Sequence, residues 1–240
     1  SYRAQRILLS HNIHRGVVTI NGRWSGQPAH IYSFYNPSLA DTEPCLSDKK
    51  IIEQPIQLLF VGVLHSGKGV FTVMDVAEHL RLAGVNFELH LVGDGPVRAE
   101  LEYWVSEKRF GKCVFFHGWV AHTNMSVYYQ RAHLLLFPSQ SEGWPKVISE
   151  AMAYGVVPVA GAVSSIPQVL GELGVGVSLP PQDIDGFVAA ILDYVRNPDR
   201  WQAESHSGVR AAELFTYDTY LNKVRAMFEN EWAIQLDNRE

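Results

Sequence analysis

Cysteine is scarce in this sequence, and its scarcity limits the chemistry open to the chain. The 240 residues include only two cysteines, Cys45 and Cys113, which lie far apart. Two distant cysteines provide neither a disulfide framework nor the closely spaced pairs of a zinc site. We therefore expect a reducing compartment, the cytoplasm, with the protein either free in it or bound at a membrane surface.

Long apolar runs and an excess of basic residues are also missing. No apolar run approaches the roughly 18 residues expected of a membrane-spanning helix. The chain carries 20 Lys and Arg against 25 Asp and Glu, and it has no basic stretch of the kind that binds nucleic acid. These absences predict no transmembrane segment and no nucleic-acid partner. The hydrophobic content of 47% is typical of a globular protein with a sizeable core.

Short apolar runs alternate with amphipathic stretches through residues 56–196. This alternation predicts an α/β fold, a Rossmann-like parallel sheet with helices on both faces. Ligands bind such sheets at the carboxyl ends of the strands. We therefore expect the loops that follow four strands to meet in one crevice. These loops are residues 62–69, 93–96, 117–120 and 138–146.

The most informative stretch is residues 133–159, which has the pattern of strand, loop, helix, turn and strand. Pro145 fits the first turn of the helix, where its missing N–H has no cost. A helix N-terminus has free amides and a partial positive charge, so it attracts phosphate. The amides expected to be free here are those of Lys146, Val147 and Ile148.

Two glutamates flank this helix start. At a rise of ~1.5 Å per residue, Glu150 lies roughly 7–8 Å along the axis from Pro145. That distance is about the span from the diphosphate of a nucleotide to its ribose hydroxyls. One helix could therefore bind phosphate at its tip and ribose on its flank, while Glu142 faces the group that the diphosphate carries.

The pattern Glu142-Gly143-x-Pro145-x4-Glu150-Ala151-Met152-Ala153-x-Gly155-x2-Pro158-Val159 resembles the signature of retaining glycosyltransferases with the GT-B fold, specifically family four, or group 1. The two glutamates stand eight positions apart, as the E-x7-E motif of that family requires. A lone glutamate pair would instead favour solvated side chains on a buried amphipathic helix. The accompanying Gly, Pro and Ala-Met-Ala residues favour the family. The resemblance covers about residues 56–235.

The resemblance implies one half of a GT-B fold, its C-terminal, donor-binding domain. Residues 56–240 would form a Rossmann-like domain that binds a nucleotide-diphospho-sugar, and residues 1–55 would be the remnant of an N-terminal domain and its connection. The glycan or lipid-linked acceptor would bind through that missing domain. We therefore expect the chain alone to bind nucleotide and to transfer sugar poorly or not at all. For residues 1–50 an independent β-hairpin is equally compatible, since Asn21-Gly22 is typical of a tight turn.

The resemblance also implies roles for individual residues. Lys68 and Glu142 would be catalytic, because Lys68 would stabilise the leaving diphosphate and Glu142 would hold the donor sugar. Glu150 would bind the ribose. The remaining expected donor-binding residues are Gly62, Gly67, Gly93, Gly95, Gly118, Gly143, Lys146 and Val147. No metal and no cofactor is implied, since the nucleotide-diphospho-sugar is a substrate.

Several positions require an alternative to be considered. The spacing from Gly62 to Lys68 mimics a P-loop, but Gly69 stands where a P-loop requires Ser or Thr for magnesium, so we reject that interpretation. His117 could act as a general base, although a structural role is more typical of such a residue.

The sequence also departs from the family pattern. Val63 replaces a usual arginine, Ser164 and Ser165 replace a glycine pair, and Gln168 replaces a glutamate. These departures keep open a degenerate GT-B-like domain that acts as a non-catalytic interaction module. A sugar-nucleotide epimerase or a phosphorylase is less compatible, because such proteins lack the E-x7-E arrangement.

Overall fold

A computed structural model describes residues 7–11, 16–23, 26–40 and 52–236. The chain divides into two compact units, one of residues 43–212 and the other of residues 1–42 together with 213–240. This division differs from the sequence-based boundary at residue 55, because it groups the last helix with the N-terminal strands. The interpretation of residues 1–55 as the remnant of another domain stays a prediction.

Strands and helices alternate through most of the larger unit. The strands are β1 (Val18–Asn21), β2 (Ile31–Phe34), β3 (Ile56–Val61), β4 (Phe87–Val92), β5 (Val114–Gly118), β6 (Leu134–Phe137), β7 (Val157–Gly161) and β8 (Val177–Leu179). The main helices are α1 (Val70–Leu82), α2 (Arg98–Glu107), α3 (Ser126–Arg131), α4 (Lys146–Ala153), α5 (Ile166–Leu173), α6 (Ile184–Arg196), α7 (Pro198–Ala212) and α8 (Tyr217–Trp232).

The larger unit is built on a six-stranded parallel sheet. Its strand order is β5-β4-β3-β6-β7-β8, so the order reverses beside β3, which pairs with both β4 and β6. Every residue of β6 is buried, as expected for a central parallel strand covered on both faces. The predicted Rossmann-like α/β class is confirmed. The reversal creates a switch point at which such sheets bind ligands beyond the carboxyl ends of their strands.

The sequence predicts the elements of this sheet to within a few residues, with β8 as the largest difference. The apolar run predicts a strand over residues 174–179, whereas β8 covers only Val177–Leu179. Gly174 and Gly176 both have left-handed backbone angles, with φ of 62° and 74°, which are incompatible with an extended strand.

In the smaller unit β1 and β2 pair in parallel, with Val18 opposite Ile31 and Asn21 opposite Phe34. A hairpin requires antiparallel strands, so the β-hairpin alternative for this segment is wrong. Gly22 does turn the chain, at a φ of 77°, but β2 starts beside the start of β1, where the Val18 amide donates to His30 O at 3.0 Å. Helix α8 packs on β2, where the rings of Phe34 and Tyr220 meet edge to face at 5.4 Å.

Candidate functional site

Three strands of the larger unit end in glycines that bring their backbones into contact. The Gly62 amide donates to Val92 O at 3.0 Å, and the Gly93 amide donates to Gly118 O at 2.8 Å. A Cβ atom on Gly93 would lie 1.9 Å from Gly62 O, and one on Gly95 would lie 2.4 Å from Leu64 O. Side chains at these positions would push the loops apart. The glycines therefore let the loops after β3, β4 and β5 meet at one edge of the sheet.

These loops border a cleft of about 430 Å³, which is within the range of small-molecule sites. Its wall is largely apolar, and Val63 and Trp119 are 53% and 78% exposed. The loops contribute Gly62, Val63, Gly93, Asp94, Trp119 and Val120, and the lining also includes Val61, Val92, His122, Met125 and Glu150.

Glu150 is held firmly where α4 reaches this cleft. The residue is 9% exposed, and its Oε2 accepts a hydrogen bond of 2.7 Å from the buried Tyr129 hydroxyl. Its Oε1 lies 3.6 Å from His122 Nε2. A carboxylate fixed through one oxygen keeps the other in a constant position, which suits recognition of a ligand hydroxyl.

The two predicted catalytic side chains are in direct contact. Lys68 Nζ donates to Glu142 Oε1 at 2.5 Å, and the Ser139 hydroxyl donates to the same oxygen at 2.7 Å. The side chains of Lys68 and Glu142 are 35% and 12% exposed. Lys68 is thus part of a half-buried ion pair and does not behave as a solvated loop lysine.

The loop that carries Lys68 touches the loop that carries Glu142. The Gln140 amide donates to Gly67 O at 3.0 Å. A Cβ atom on Gly69 would lie 2.1 Å from Pro138 O, so this glycine too is required for close contact. Two segments about 70 residues apart in sequence therefore form one wall beside the start of α4.

The start of α4 differs slightly from the prediction. Pro145 is extended, with φ −77° and ψ 123°, and the helix begins at Lys146. The Ile148 amide donates to Pro145 O at 3.1 Å, so the expectation that this amide is free is wrong. The amides of Lys146 and Val147 stay the predicted phosphate donors.

One of the two serines that replace the usual glycine pair has a glycine-like backbone angle. Ser164 has a φ of 50°, a left-handed angle that is uncommon outside glycine. The hydroxyl of Ser165, which is 8% exposed, donates to Gly143 O at 3.4 Å. Ser165 has an ordinary helical backbone angle, with φ −87°, and its side chain fixes the loop at Gly143.

His117 has a structural environment. Its Nε2 lies 2.9 Å from Nδ1 of the buried His90, and its ring meets Tyr128 edge to face at 4.7 Å. Burial, reinforced by nearby Arg131, lowers the pKa of His90 to about 4 and also holds the pKa of His117 below its usual range. These contacts agree with the structural role predicted for His117.

Sequence reasoning missed Tyr129 and His122 as neighbours of Glu150. The helical pattern predicts that Tyr129 packs inward, but not that its hydroxyl reaches a glutamate 21 residues away. No local signal in the sequence connects His122 with Glu150.

Across the described residues, no cluster of three or more His, Cys, Asp or Glu side chains is placed to hold a metal ion. Within the same ranges, every helix is too short or too polar to cross a membrane.

The doubly wound sheet and the cleft at its switch point are those of a Rossmann-like α/β domain. The sequence profile of the family described as "Glycosyl transferases group 1" matches residues 45–208, more than half of the chain. The chain belongs to this family.

Individual relatives agree with this assignment. The chain is 27% identical over 147 residues to an amylovoran biosynthesis glycosyltransferase of Erwinia amylovora, a match that covers 59% of this chain and 36% of that protein. The first such relatives are matched over about a third of their own length.

Two solved structures share the fold at lower identity. A sucrose-phosphate synthase from Thermosynechococcus elongatus aligns with a TM-score of 0.69 at 23% identity, over 90% of this chain and 58% of that one. The C-terminal domain of a glycosyl transferase group 1 family protein from Francisella tularensis aligns with a TM-score of 0.61 at 18% identity, over 76% of this chain and 96% of that domain.

Proposed function

We propose that this chain is the donor-binding part of a retaining glycosyltransferase of family four. It binds a nucleotide-diphospho-sugar, and its glycosyl group passes to a glycan or lipid-linked acceptor held by a second GT-B domain. The observation that carries the proposal is the position of Glu150, which Tyr129 fixes at the wall of the cleft formed by the glycine loops. Family membership supports glycosyl transfer, and the alignment over 96% of a C-terminal domain supports the donor-side assignment.

The nucleotide binds with its ribose at Glu150 and its base along Trp119 and Val120. The diphosphate then lies toward the start of α4, where the amides of Lys146 and Val147 donate to it. Lys68 supplies the positive charge that stabilises the leaving diphosphate, an electrostatic role that needs no metal ion.

The Lys68–Glu142 ion pair suits this mechanism. In the free protein Glu142 compensates the charge of Lys68 at 2.5 Å. When the donor binds, Lys68 turns to the diphosphate and Glu142 is released to accept hydrogen bonds from the hydroxyls of the donor sugar. Binding of the whole donor therefore sets both side chains for the reaction. Since Val63 provides no second cation, we expect Lys68 to carry most of the side-chain charge stabilisation.

A thermal-shift panel of UDP, GDP, ADP and their common sugar conjugates tests the proposal. A ligand at 100 times its dissociation constant adds about 2.7 kcal/mol of stability. We expect a selective shift with one base. Glu150→Gln and Lys68→Ala should reduce the shift. The control Glu107→Gln, which changes an exposed residue of α2, should retain it. A selective shift that persists in Glu150→Gln would contradict the assigned site.

The second candidate is a non-catalytic interaction module. The exposed Val63 favours it, because this residue stands at the cleft where the family usually has an arginine. This candidate predicts a cooperatively folded chain that responds to none of the nucleotides in the panel.

A further inference from the structure

We propose that His122 is a second ribose-binding residue and that it makes the cleft selective for ribonucleotides over deoxyribonucleotides. The inference rests on the proposed function, since it assumes that a nucleotide occupies the cleft with its ribose at Glu150. It adds a residue that the E-x7-E motif does not include.

His122 lines the cleft from the segment that follows β5. It begins a short 3₁₀ turn, His122–Asn124, which connects β5 to α3. Its side chain is 61% exposed. It lines both the main cleft and a neighbouring cavity of about 280 Å³. Glu150 lines the same two spaces, so the two side chains stand together at the boundary between them.

The spacing of the two side chains is suited to a shared ligand. His122 Nε2 lies 3.6 Å from Glu150 Oε1, which is too long for a hydrogen bond. Because Tyr129 holds Oε2 at 2.7 Å, Oε1 is the oxygen that faces His122. An acceptor and an imidazole nitrogen thus lie side by side at the cleft wall, within ion-pair distance for a protonated histidine but without a hydrogen bond between them.

A vicinal diol satisfies both atoms. A carboxylate only accepts hydrogen bonds, whereas an imidazole nitrogen can donate or accept according to its tautomer. One ribose hydroxyl therefore donates to Glu150 Oε1, and the adjacent hydroxyl bonds His122 Nε2. A deoxyribose lacks one of these hydroxyls and leaves one protein group without its partner.

The other carboxylate at the cleft is already engaged. Asp94 accepts hydrogen bonds from the Gly95 amide at 2.8 Å and from Arg98 at 3.0 Å. Its carboxylate is thereby held toward the backbone of its own loop. Glu150 and His122 are the polar pair of the cleft that remains for the sugar.

Calorimetric titration separates this role from a purely structural one. The probes are the nucleoside diphosphate selected by the thermal-shift panel and its 2′-deoxy and 3′-deoxy analogues. For the wild-type chain we expect each missing hydroxyl to weaken binding by about 3- to 10-fold, the loss typical of one hydrogen bond. A site that bonds a substrate hydroxyl discriminates against an analogue that lacks it.

The variants assign each hydroxyl to its partner. His122→Ala should weaken binding of the ribonucleotide and abolish discrimination against one deoxy analogue while it retains discrimination against the other. His122→Gln, which keeps a hydrogen-bonding side chain, should restore part of the discrimination. His206→Ala, which changes an exposed histidine of α7, should retain the wild-type ratios for both analogues.

Three outcomes would overturn the inference, and only one of them would also contradict the proposed function. Two outcomes would contradict the role of His122 but not nucleotide binding. They are unchanged discrimination in His122→Ala and equal binding of all three nucleotides by the wild-type chain. Failure of the wild-type chain to bind any nucleotide removes the proposed function and this inference with it.

Discussion

Among single residues, two glycines of the larger unit show separately what a missing side chain and an unusual backbone angle contribute. Gly69 and Gly84 have nearly the same left-handed φ, 74° and 75°. A Cβ atom on Gly69 would lie 2.1 Å from Pro138 O, whereas one on Gly84 would meet nothing within 4 Å. The two positions therefore separate backbone strain from collision.

We predict that Gly84→Ala lowers the free energy of unfolding by about 1–2 kcal/mol, the cost of a left-handed angle. Gly69→Ala should cost clearly more, because the loops of Lys68 and Glu142 must move apart as well. Chemical denaturation of both variants measures the difference. Equal losses would show that the contact between Gly69 and Pro138 has no energetic weight.

The hydroxyl of Tyr129 should matter for binding as well as for stability. A hydrogen bond to a charged group contributes about 1.5–3 kcal/mol. Tyr129→Phe should therefore destabilise the chain by up to this amount and weaken nucleotide binding, since Glu150 loses the bond that orients it. Tyr128→Phe, on the same helix, is the control. Full nucleotide affinity in Tyr129→Phe would show that Glu150 needs no such support.

The buried His90 should make stability depend on pH. Its pKa in the fold is about 4, against about 6.5 in an unfolded chain. Between these values the unfolded state takes up a proton that the folded state does not, so stability falls as the pH drops below about 6.5. The pKa of His117 is also lowered and acts in the same direction.

From pH 7.5 to pH 5 we expect His90 to account for a loss of at most about 2 kcal/mol in the free energy of unfolding. Denaturation curves at both pH values measure it. His90→Gln should flatten the dependence, and the exposed His206→Gln should not. A wild-type chain that is equally stable at pH 5 and pH 7.5 would disprove the burial of a neutral histidine.

Among the elements, α4 and α7 pack closely through small residues. Gly208 of α7 is buried, and a Cβ atom there would lie 3.5 Å from Met152 Cβ and 3.4 Å from Val175 Cγ1. The Ser205 hydroxyl donates to Gly155 O at 2.7 Å just beyond the end of α4. The helix that carries Glu150 is therefore positioned from behind by α7.

Gly208→Leu should force the helices apart and cost about 1–3 kcal/mol, the usual penalty of overpacking. Gly171→Leu is the matched control, because Gly171 lies in α5 with nothing within 4 Å of its Cβ position. That change should be neutral or slightly stabilising, since leucine favours a helix over glycine by up to about 1 kcal/mol. In thermal unfolding, Gly208→Leu should have a lower midpoint temperature than Gly171→Leu. The reverse order of midpoints would contradict the described packing.

The strands and helices of this chain also show how far a sequence determines a fold. The strands and helices of residues 56–196 were predictable because each depends on local periodicity and on a Pro or Gly at its end. The parallel pairing of β1 with β2 was not, because Asn21-Gly22 specifies a turn but not the path that follows it. β8 is shorter than predicted because Gly174 ends α5 as its left-handed cap, and because Gly176 takes a second left-handed angle where it passes close to Pro158 O.

For the candidate site, the sequence indicated residue types at motif positions, and the fold determined their partners. Glu142, Glu150 and Lys68 could be selected from spacing and resemblance. The contact of Lys68 with Glu142 spans 74 residues, and the bond of Tyr129 to Glu150 joins two different elements. Such pairs depend on how loops and helices meet across the sheet, which no local pattern encodes.

At the scale of the whole molecule, the proposed nucleotide site lies in the larger unit, at the switch point of its sheet. A second cavity of about 380 Å³ lies in the smaller unit, beside Gly22 and Ser33. The two locations are far apart in sequence and give distinct signals, so binding can be assigned to one or the other by a residue-resolved method.

The most direct measurement is a nuclear magnetic resonance titration of the ¹⁵N-labelled chain with the selected nucleoside diphosphate, in buffer that contains EDTA. We predict saturable shifts of the Gly62, Gly93, Val120 and Val147 amides without any metal ion. Shifts confined to the residues around Gly22 and Ser33, or none in the chelated sample, would contradict a metal-independent donor site in the cleft.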